Sequence, residues 1–131
     1  MEVITLKLDH ECIRDLLLYL ENNLTYNGQL NINNLKIKSY SKETLMYTAD
    51  KLIEAEYLNA KICWNYSERR IIMVESITFK GHQFLDNIRD DSVWNDTKNV
   101  LSKFKSTSIN FIADVSSQII ANLISKQLGF N

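Results

Sequence analysis

The sequence contains no proline and only three glycines among its 131 residues. Because proline- and glycine-rich stretches mark linkers and low-complexity segments, their scarcity favours one folded domain over a string of modules. Gly28, Gly81 and Gly129 are also too far apart to form a glycine-rich phosphate-binding loop. We predict a single domain over residues 1–131, with a core at about 9–89 and a C-terminal helical extension at about 92–128.

The chain lacks an excess of either charge, since 15 basic residues oppose 16 acidic ones. Proteins dedicated to nucleic acid usually carry a clear positive excess, because counterion release from phosphates supplies much of their affinity. Any DNA-contacting surface must therefore be a local one.

Long apolar runs and a signal sequence are both missing. No stretch reaches the roughly 18 apolar residues of a membrane span, and the opening residues lack a basic segment followed by an apolar one. The two cysteines, Cys12 and Cys63, lie in apolar periodic segments, which predicts two buried, unpaired thiols. We expect a cytoplasmic protein with no membrane association.

Groups that carry catalysis or bind metal are scarce and scattered. His10, Cys12, Cys63 and His82 are the four soft ligands, and their spacing fits no zinc motif. No nucleophile and base can be paired from the sequence. We expect no metal, no cofactor and no catalytic residue, so we predict that the protein is not an enzyme.

The most informative segment, Ser41 to Leu85, predicts a helix, a two-stranded hairpin and the start of another helix. The helix spans Ser41 to about Glu56, and the strands span about Leu58–Trp64 and Arg69–Ile77 around a turn at Asn65–Glu68. Helix followed by hairpin is the layout of a winged helix, in which the hairpin is the wing.

The flanking segments complete an α+β prediction. Asp9 caps a helix to about Asn23, Leu30–Lys38 alternates as a short strand, alone or with an irregular turn, and Thr78 caps a helix whose apolar face includes Phe79. Two further helices follow, one restarting at Ser92 or a neighbour and running through Phe104, the other from about Ser108 to Leu128. The predicted fold is a winged-helix-like domain (helix, short strand, recognition-type helix, β-hairpin wing) with two additional C-terminal helices.

The stretch Ile77–Asp91 (ITFKGHQFLDNIRDD), followed by Val93-Trp94, resembles a family of uncharacterised bacterial and phage proteins, a domain of unknown function of the 2513 type. Leu18–Glu21, Leu52–Leu58 and Lys126–Gly129 are similar as well. The resemblance implies a winged-helix-like fold and no known activity. Two departures stand out: no clear second helix precedes Ser41, and Glu56 stands where winged-helix proteins often have glycine.

One functional hypothesis is that of a DNA-binding regulator. In it, the Ser41–Glu56 helix enters the major groove and double-stranded DNA is contacted by Lys42, Lys51, Arg69 and Arg70. The outward face of this helix nevertheless carries a net charge of −1, from Lys42, Glu43, Asp50, Lys51 and Glu54. The alternative is a winged-helix-derived protein-interaction module that does not bind DNA.

The last helix predicts a homodimer interface. Its apolar residues spread widely around the helix, so it needs cover on two sides. That cover comes either from the first helix and the Val93–Phe104 helix, or from the same helix of a second subunit. In the second case the predicted interface consists of Ile112, Val115, Ile119 and Leu123.

Overall fold

The computed structural model describes residues 6–67, 69–105 and 108–129. Over these residues the chain forms five α-helices and one antiparallel sheet of three strands. The elements are α1 (His10–Asn23), β1 (Leu30–Asn31), a 3₁₀ turn (Ile32–Asn34), α2 (Lys42–Glu54), β2 (Leu58–Trp64), β3 (Arg70–Ile77), α3 (Phe79–Ile88), α4 (Asp91–Phe104) and α5 (Ile109–Gln127). The predicted α+β class and element order are confirmed. The tip residue Glu68, part of the predicted turn, lies outside the described residues.

The chain groups into two compact units, divided between His82 and Gln83 inside α3. The first contains α1, α2 and the sheet, and the second contains α4 and α5. Among the described residues, no helix has the length and apolar character that crossing a bilayer requires.

Side-chain caps begin all five helices of the described residues. Asp9, Ser41, Thr78, Asp90 and Ser108 each accept a hydrogen bond from the backbone amide three residues later, over 2.9–3.3 Å. These bonds satisfy amides that a helix start otherwise leaves unpaired. The starts predicted at Asp9, Ser41, Thr78 and Ser108 are confirmed, and Asp90 caps the helix that restarts near Ser92.

The sheet has the order β1-β3-β2, so β3 is central and β2 lies at an edge. Only two residues of the alternating Leu30–Lys38 segment form a strand, after which the chain turns. The side chain of Asn33 then pairs with β3 in place of strand backbone: its Nδ2 donates to the Arg70 carbonyl at 3.0 Å, and the Ile72 amide donates to its Oδ1 at 3.3 Å. Of the two predicted alternatives for this segment, a strand followed by an irregular turn is therefore confirmed.

The core of the first unit is built from the predicted stripes of α1 and α2 and from β3. Its fully or almost fully buried members are Ile13, Leu16, Leu17, Leu20, Leu45, Ala49, Leu52, Ile72 and Val74. The stripes face the core because residues three and four apart share one side of a helix. Ile53, predicted in the same set, is only half-buried.

Two sequence predictions of burial are wrong. Cys63 is exposed, because side chains alternate along a strand and Cys63 therefore lies on the face opposite to that of Ile62 and its buried partner Ile72. Phe79 is 80% exposed, since on a helix it lies roughly 140° from Phe84, which does face inward. Phe104, in the last turn of α4, is also exposed.

The start of α3 is tied to the corner between α2 and β2. The Thr78 hydroxyl donates to the Glu56 carbonyl at 2.6 Å and accepts from the Gly81 amide at 2.9 Å. Glu56 has a φ of 67°, a left-handed conformation that explains why glycine suits this position. A Cβ on Gly81 would lie 2.2 Å from the Tyr57 carbonyl oxygen, so the close approach requires glycine.

In the second unit α4 and α5 pack against each other, and their ends are joined by an edge-to-face pair of Phe104 and Phe111 rings, 5.7 Å apart. Trp94, Leu101 and Ile112 are buried. α5 has 19 residues, whereas α4 has 14. Leu123 and Ile124 in the last turns of α5, and Leu128 directly after it, are exposed.

Candidate functional site

Arg70, predicted to contact DNA, is held by a carboxylate of α2. Its two terminal nitrogens lie 2.7 and 2.6 Å from the two Asp50 carboxylate oxygens, a bidentate ion pair between half-buried groups. The guanidinium is planar and matches this geometry, so the pair fastens β3 to α2. A phosphate would have to compete with Asp50 for Arg70.

Lys51, the second predicted contact, is also in an ion pair. Its Nζ lies 2.9 Å from Glu54 and 5.4 Å from the centre of the Tyr47 ring. The hydrogen bond that Lys51 donates to Glu54 raises the pKa of Lys51 above its usual value. The local charge around this lysine is therefore close to neutral.

Lys42 and Lys51 do not share a face of α2. They are nine positions apart, which at 3.6 residues per turn places them on roughly opposite sides of the helix. Lys42 instead lines a groove of about 570 Å³ together with Lys36 and Lys38. Lys38 is paired with Asp15 at 2.9 Å, and that contact raises its pKa.

Arg69, the remaining predicted contact, is an exposed residue at the tip of the hairpin. Its backbone amide donates to the Asn65 Oδ1 at 3.0 Å, as does the Ser67 amide. Asn65 therefore organises the tip, and Arg69 is positioned by its backbone.

The predicted dimer residues of α5 separate into three environments. Ile112 is fully buried within the chain, and Leu123 is 44% exposed. Val115 and Ile119 are half-buried and line a mostly apolar groove of about 420 Å³ with Phe104 and Phe111. The two phenylalanines were not predicted as part of this surface.

Sequence reasoning missed an apolar row on β2. Ile62 is 40% exposed and Trp64 65% exposed, and Tyr66 follows them in the turn fully exposed. Because paired residues of neighbouring strands share a face, Ile62 lies on the same side of the sheet as its partner Ile72, which is completely buried. The row thus continues the core-facing side of the sheet past the point where the described residues cover it.

The backbone of β2 presents its own binding groups beside that row. The Asn65 amide donates to the Arg69 carbonyl at 3.1 Å, so Asn65 directs its backbone towards β3. Direction alternates along a strand, so Cys63 and Lys61 also face β3, while Ile62 and Trp64 direct their N–H and C=O groups outward. We call the segment Ala60–Trp64, with its outward backbone groups, the β2 edge.

The alternation of Leu58, Ala60, Ile62 and Trp64 is visible in the sequence, which predicted the strand but not the exposure of this row. The fold reveals that the side chains in the distal half of the row are exposed. Among the described residues, no three His, Cys, Asp or Glu side chains lie close enough together to hold a metal ion.

The comparison with protein families matches residues 7–108 to DUF2513, described as a hypothetical protein. The chain belongs to the DUF2513 family. A further relative is an uncharacterised protein of Haemophilus influenzae, 29% identical over 123 residues that cover 94% of this chain and 99% of that protein. No solved structure matches.

The DUF2513 match confirms the resemblance seen in the Ile77–Asp91 motif and assigns no activity. Its span, residues 7–108, includes the hairpin and the β2 edge and ends before α5 begins at Ile109. The β2 edge therefore belongs to the part of the chain that defines the family match.

Proposed function

We propose that this protein is a winged-helix-derived protein-interaction module that binds an extended segment of its partner along the β2 edge. The observation that carries the proposal is the exposure of Ile62 and Trp64 beside outward-facing backbone groups. An exposed apolar edge strand is a template for pairing with another chain, and soluble proteins usually protect such edges.

The chemistry of this edge suits β-strand addition. In that mode backbone hydrogen bonds provide affinity, and contacts with alternate side chains provide specificity. Trp64 is the residue type that most often anchors a protein interface, because it buries a large area with few rotatable bonds.

The ion pairs of the basic residues favour a protein partner over DNA. Lys51 and Arg70 are already neutralised by Glu54 and Asp50, and the chain carries no net positive charge to attract phosphates. The cytoplasmic location expected from two unpaired thiols stays a prediction.

The DNA alternative is tested by fluorescence anisotropy with labelled mixed-sequence duplex at low and moderate salt. We expect no binding at low salt, where electrostatic attraction is strongest. Binding that weakens steeply with salt and is lost in Arg69→Ala/Arg70→Ala would contradict the proposal.

The protein-binding function is tested by selecting random 12-residue peptides on immobilised protein at low concentration. We expect enrichment of peptides with alternating apolar residues that bind the wild type and lose binding to Trp64→Lys. Tyr26→Lys, at a still more exposed aromatic residue outside the hairpin, is the control and should bind normally. Failure to enrich any peptide, or equal binding to Trp64→Lys, would refute this function.

A further inference from the structure

We infer that the segment bound at the β2 edge is β2 of a second copy of this chain, so that two three-stranded sheets join across a two-fold axis. This inference rests on the proposed function and names its partner. The backbone directions and side chains of β2 decide in which register the strand can pair with itself.

Backbone geometry restricts the symmetric pairings. In an antiparallel pair, opposite residues either both point their backbone groups at each other or both point away. A two-fold pairing of β2 with itself must therefore be centred on a residue, and the middle of the strand offers Lys61, Ile62 or Cys63.

Charge and length select among these three centres. Centring on Lys61 would place the two Lys61 side chains directly opposite each other, which is unfavourable. Centring on Cys63 would leave only residues 62–64 paired within the strand. Centring on Ile62 pairs residues 60–64 of both copies and sets Lys61 opposite Cys63, with no like charges facing.

The Ile62-centred register is also complementary in side-chain size. Each Trp64 lies opposite the small Ala60 of the other copy, and the two Ile62 side chains meet at the axis. These residues share the face of Ile72 and Val74, so the pairing extends an apolar surface that is already buried in each copy. On the opposite face, Lys61 is 3.9 Å from Glu75, which offsets its charge.

The proposed pairing joins only two copies of the chain, and its interface is small. A two-fold contact uses the β2 edge of both copies, and the other edge strand, β1, has only two residues, so further growth of the sheet is not supported. Five residue pairs form a small interface, and such interfaces give weak, concentration-dependent association.

The register is tested by disulfide trapping in a glutathione redox buffer, where two thiols form the bond and glutathione disulfide takes up the two electrons and two protons. In the Ile62-centred dimer, residues 61 and 63 of opposite copies form a non-hydrogen-bonded pair with Cα atoms about 4.5 Å apart, within the range of a disulfide. We expect Lys61→Cys, with native Cys63, to give a covalent dimer on a non-reducing gel.

Two controls report the other registers. Lys61→Cys/Cys63→Ser cross-links only if the centre is Lys61, and the wild type, with Cys63 alone exposed, cross-links only if the centre is Cys63. Cross-linking of either control in preference to Lys61→Cys would overturn the Ile62-centred pairing.

The dimer itself is measured by sedimentation velocity over a concentration series. We expect the wild type and Leu123→Lys, a matched change on exposed α5, to associate equally, and Ile62→Lys to remain monomeric. Loss of association in Leu123→Lys but not in Ile62→Lys would overturn the inference in favour of an α5 interface. A wild type that stays monomeric but still binds peptides through Trp64 would also overturn it, while leaving the proposed function intact.

Discussion

At the scale of single residues, the two cysteines show how position decides chemistry. Cys12 is fully buried in α1, and burial, assisted by the nearby Asp9 and Asp15, raises the pKa of its thiol to about 11, although the Thr48 hydroxyl 3.3 Å away acts in the opposite direction. Cys63, in an equally apolar stretch of sequence, is exposed. One thiol is a core side chain and the other is available to reagents.

The raised pKa of Cys12 predicts a loss of stability in alkali. The unfolded thiol ionises near pH 9 and the folded one near pH 11, so between these values the unfolded state gives up its proton first and is favoured. The stability that the buried neutral thiol provides is complete below pH 9 and falls by about 2–3 kcal/mol by pH 11.

Urea unfolding of the wild type and Cys12→Ala at pH 8 to 10.5 measures this effect. Tyr40, whose pKa is also raised, chiefly by burial and by its hydrogen bond to Asp15, contributes in both proteins, because Cys12 is only the smallest of the causes that raise it. The difference between their free energies of unfolding should therefore shrink as the pH rises. A constant difference would show that Cys12 does not ionise on unfolding.

At the scale of elements, each connection depends on a few close approaches. The hairpin is fastened to α2 by the Arg70–Asp50 pair, and the α2–β2 corner is fastened to α3 by Thr78 and by Lys80, whose Nζ donates to the Ala55 carbonyl at 3.1 Å. Thr78, Lys80 and Gly81 thus each have a structural role at this corner, and the exposed Phe79 between them does not.

Gly81→Ala should destabilise the protein by at least about 2 kcal/mol, because the added Cβ would meet the Tyr57 carbonyl oxygen and the Ile77 side chain, and backbone cannot easily move aside. Gly129→Ala is the control. Gly129 has a φ of 83° but open space around it, so its cost should stay near 1 kcal/mol. Thermal or urea unfolding distinguishes the two, and equal costs would contradict the close approach at Gly81.

Much of the secondary structure could be predicted from the sequence, because helix starts and strand alternation depend on neighbours a few residues away. Asp9, Ser41 and Ser108 cap the helices expected of them. The shortening of β1 could not be read, because it depends on Asn33 pairing with a strand almost 40 residues further along the chain.

At the scale of the whole molecule, the sequence predicts a single domain, whereas the structure groups into two compact units. The two descriptions differ in whether the units unfold together. Helix α3 runs without interruption across their division, which couples the two backbones directly. We expect a single cooperative transition.

Two probes, one in each unit, measure this in the double variant Cys63→Ser/Trp64→Phe. Its single remaining thiol, Cys12, reports the first unit through reactivity with a thiol reagent, and its single tryptophan, Trp94, reports the second through fluorescence. The two urea midpoints should coincide. Separate midpoints would mean that the units fold as independent domains.

The sequence by itself determined the kind and order of the elements, the helix caps, the core stripes of α1 and α2, and the family, because periodicity, capping and motifs are properties of nearby residues. The tertiary structure alone decided which basic residues are neutralised and which apolar ones are uncovered. Arg70 meets Asp50 from 20 positions away, and Trp64 is exposed because the core-facing side of the sheet is left uncovered at the end of the edge strand β2. Both outcomes depend on residues that are distant in the sequence and close in the fold, so a pattern of neighbouring residues cannot predict them.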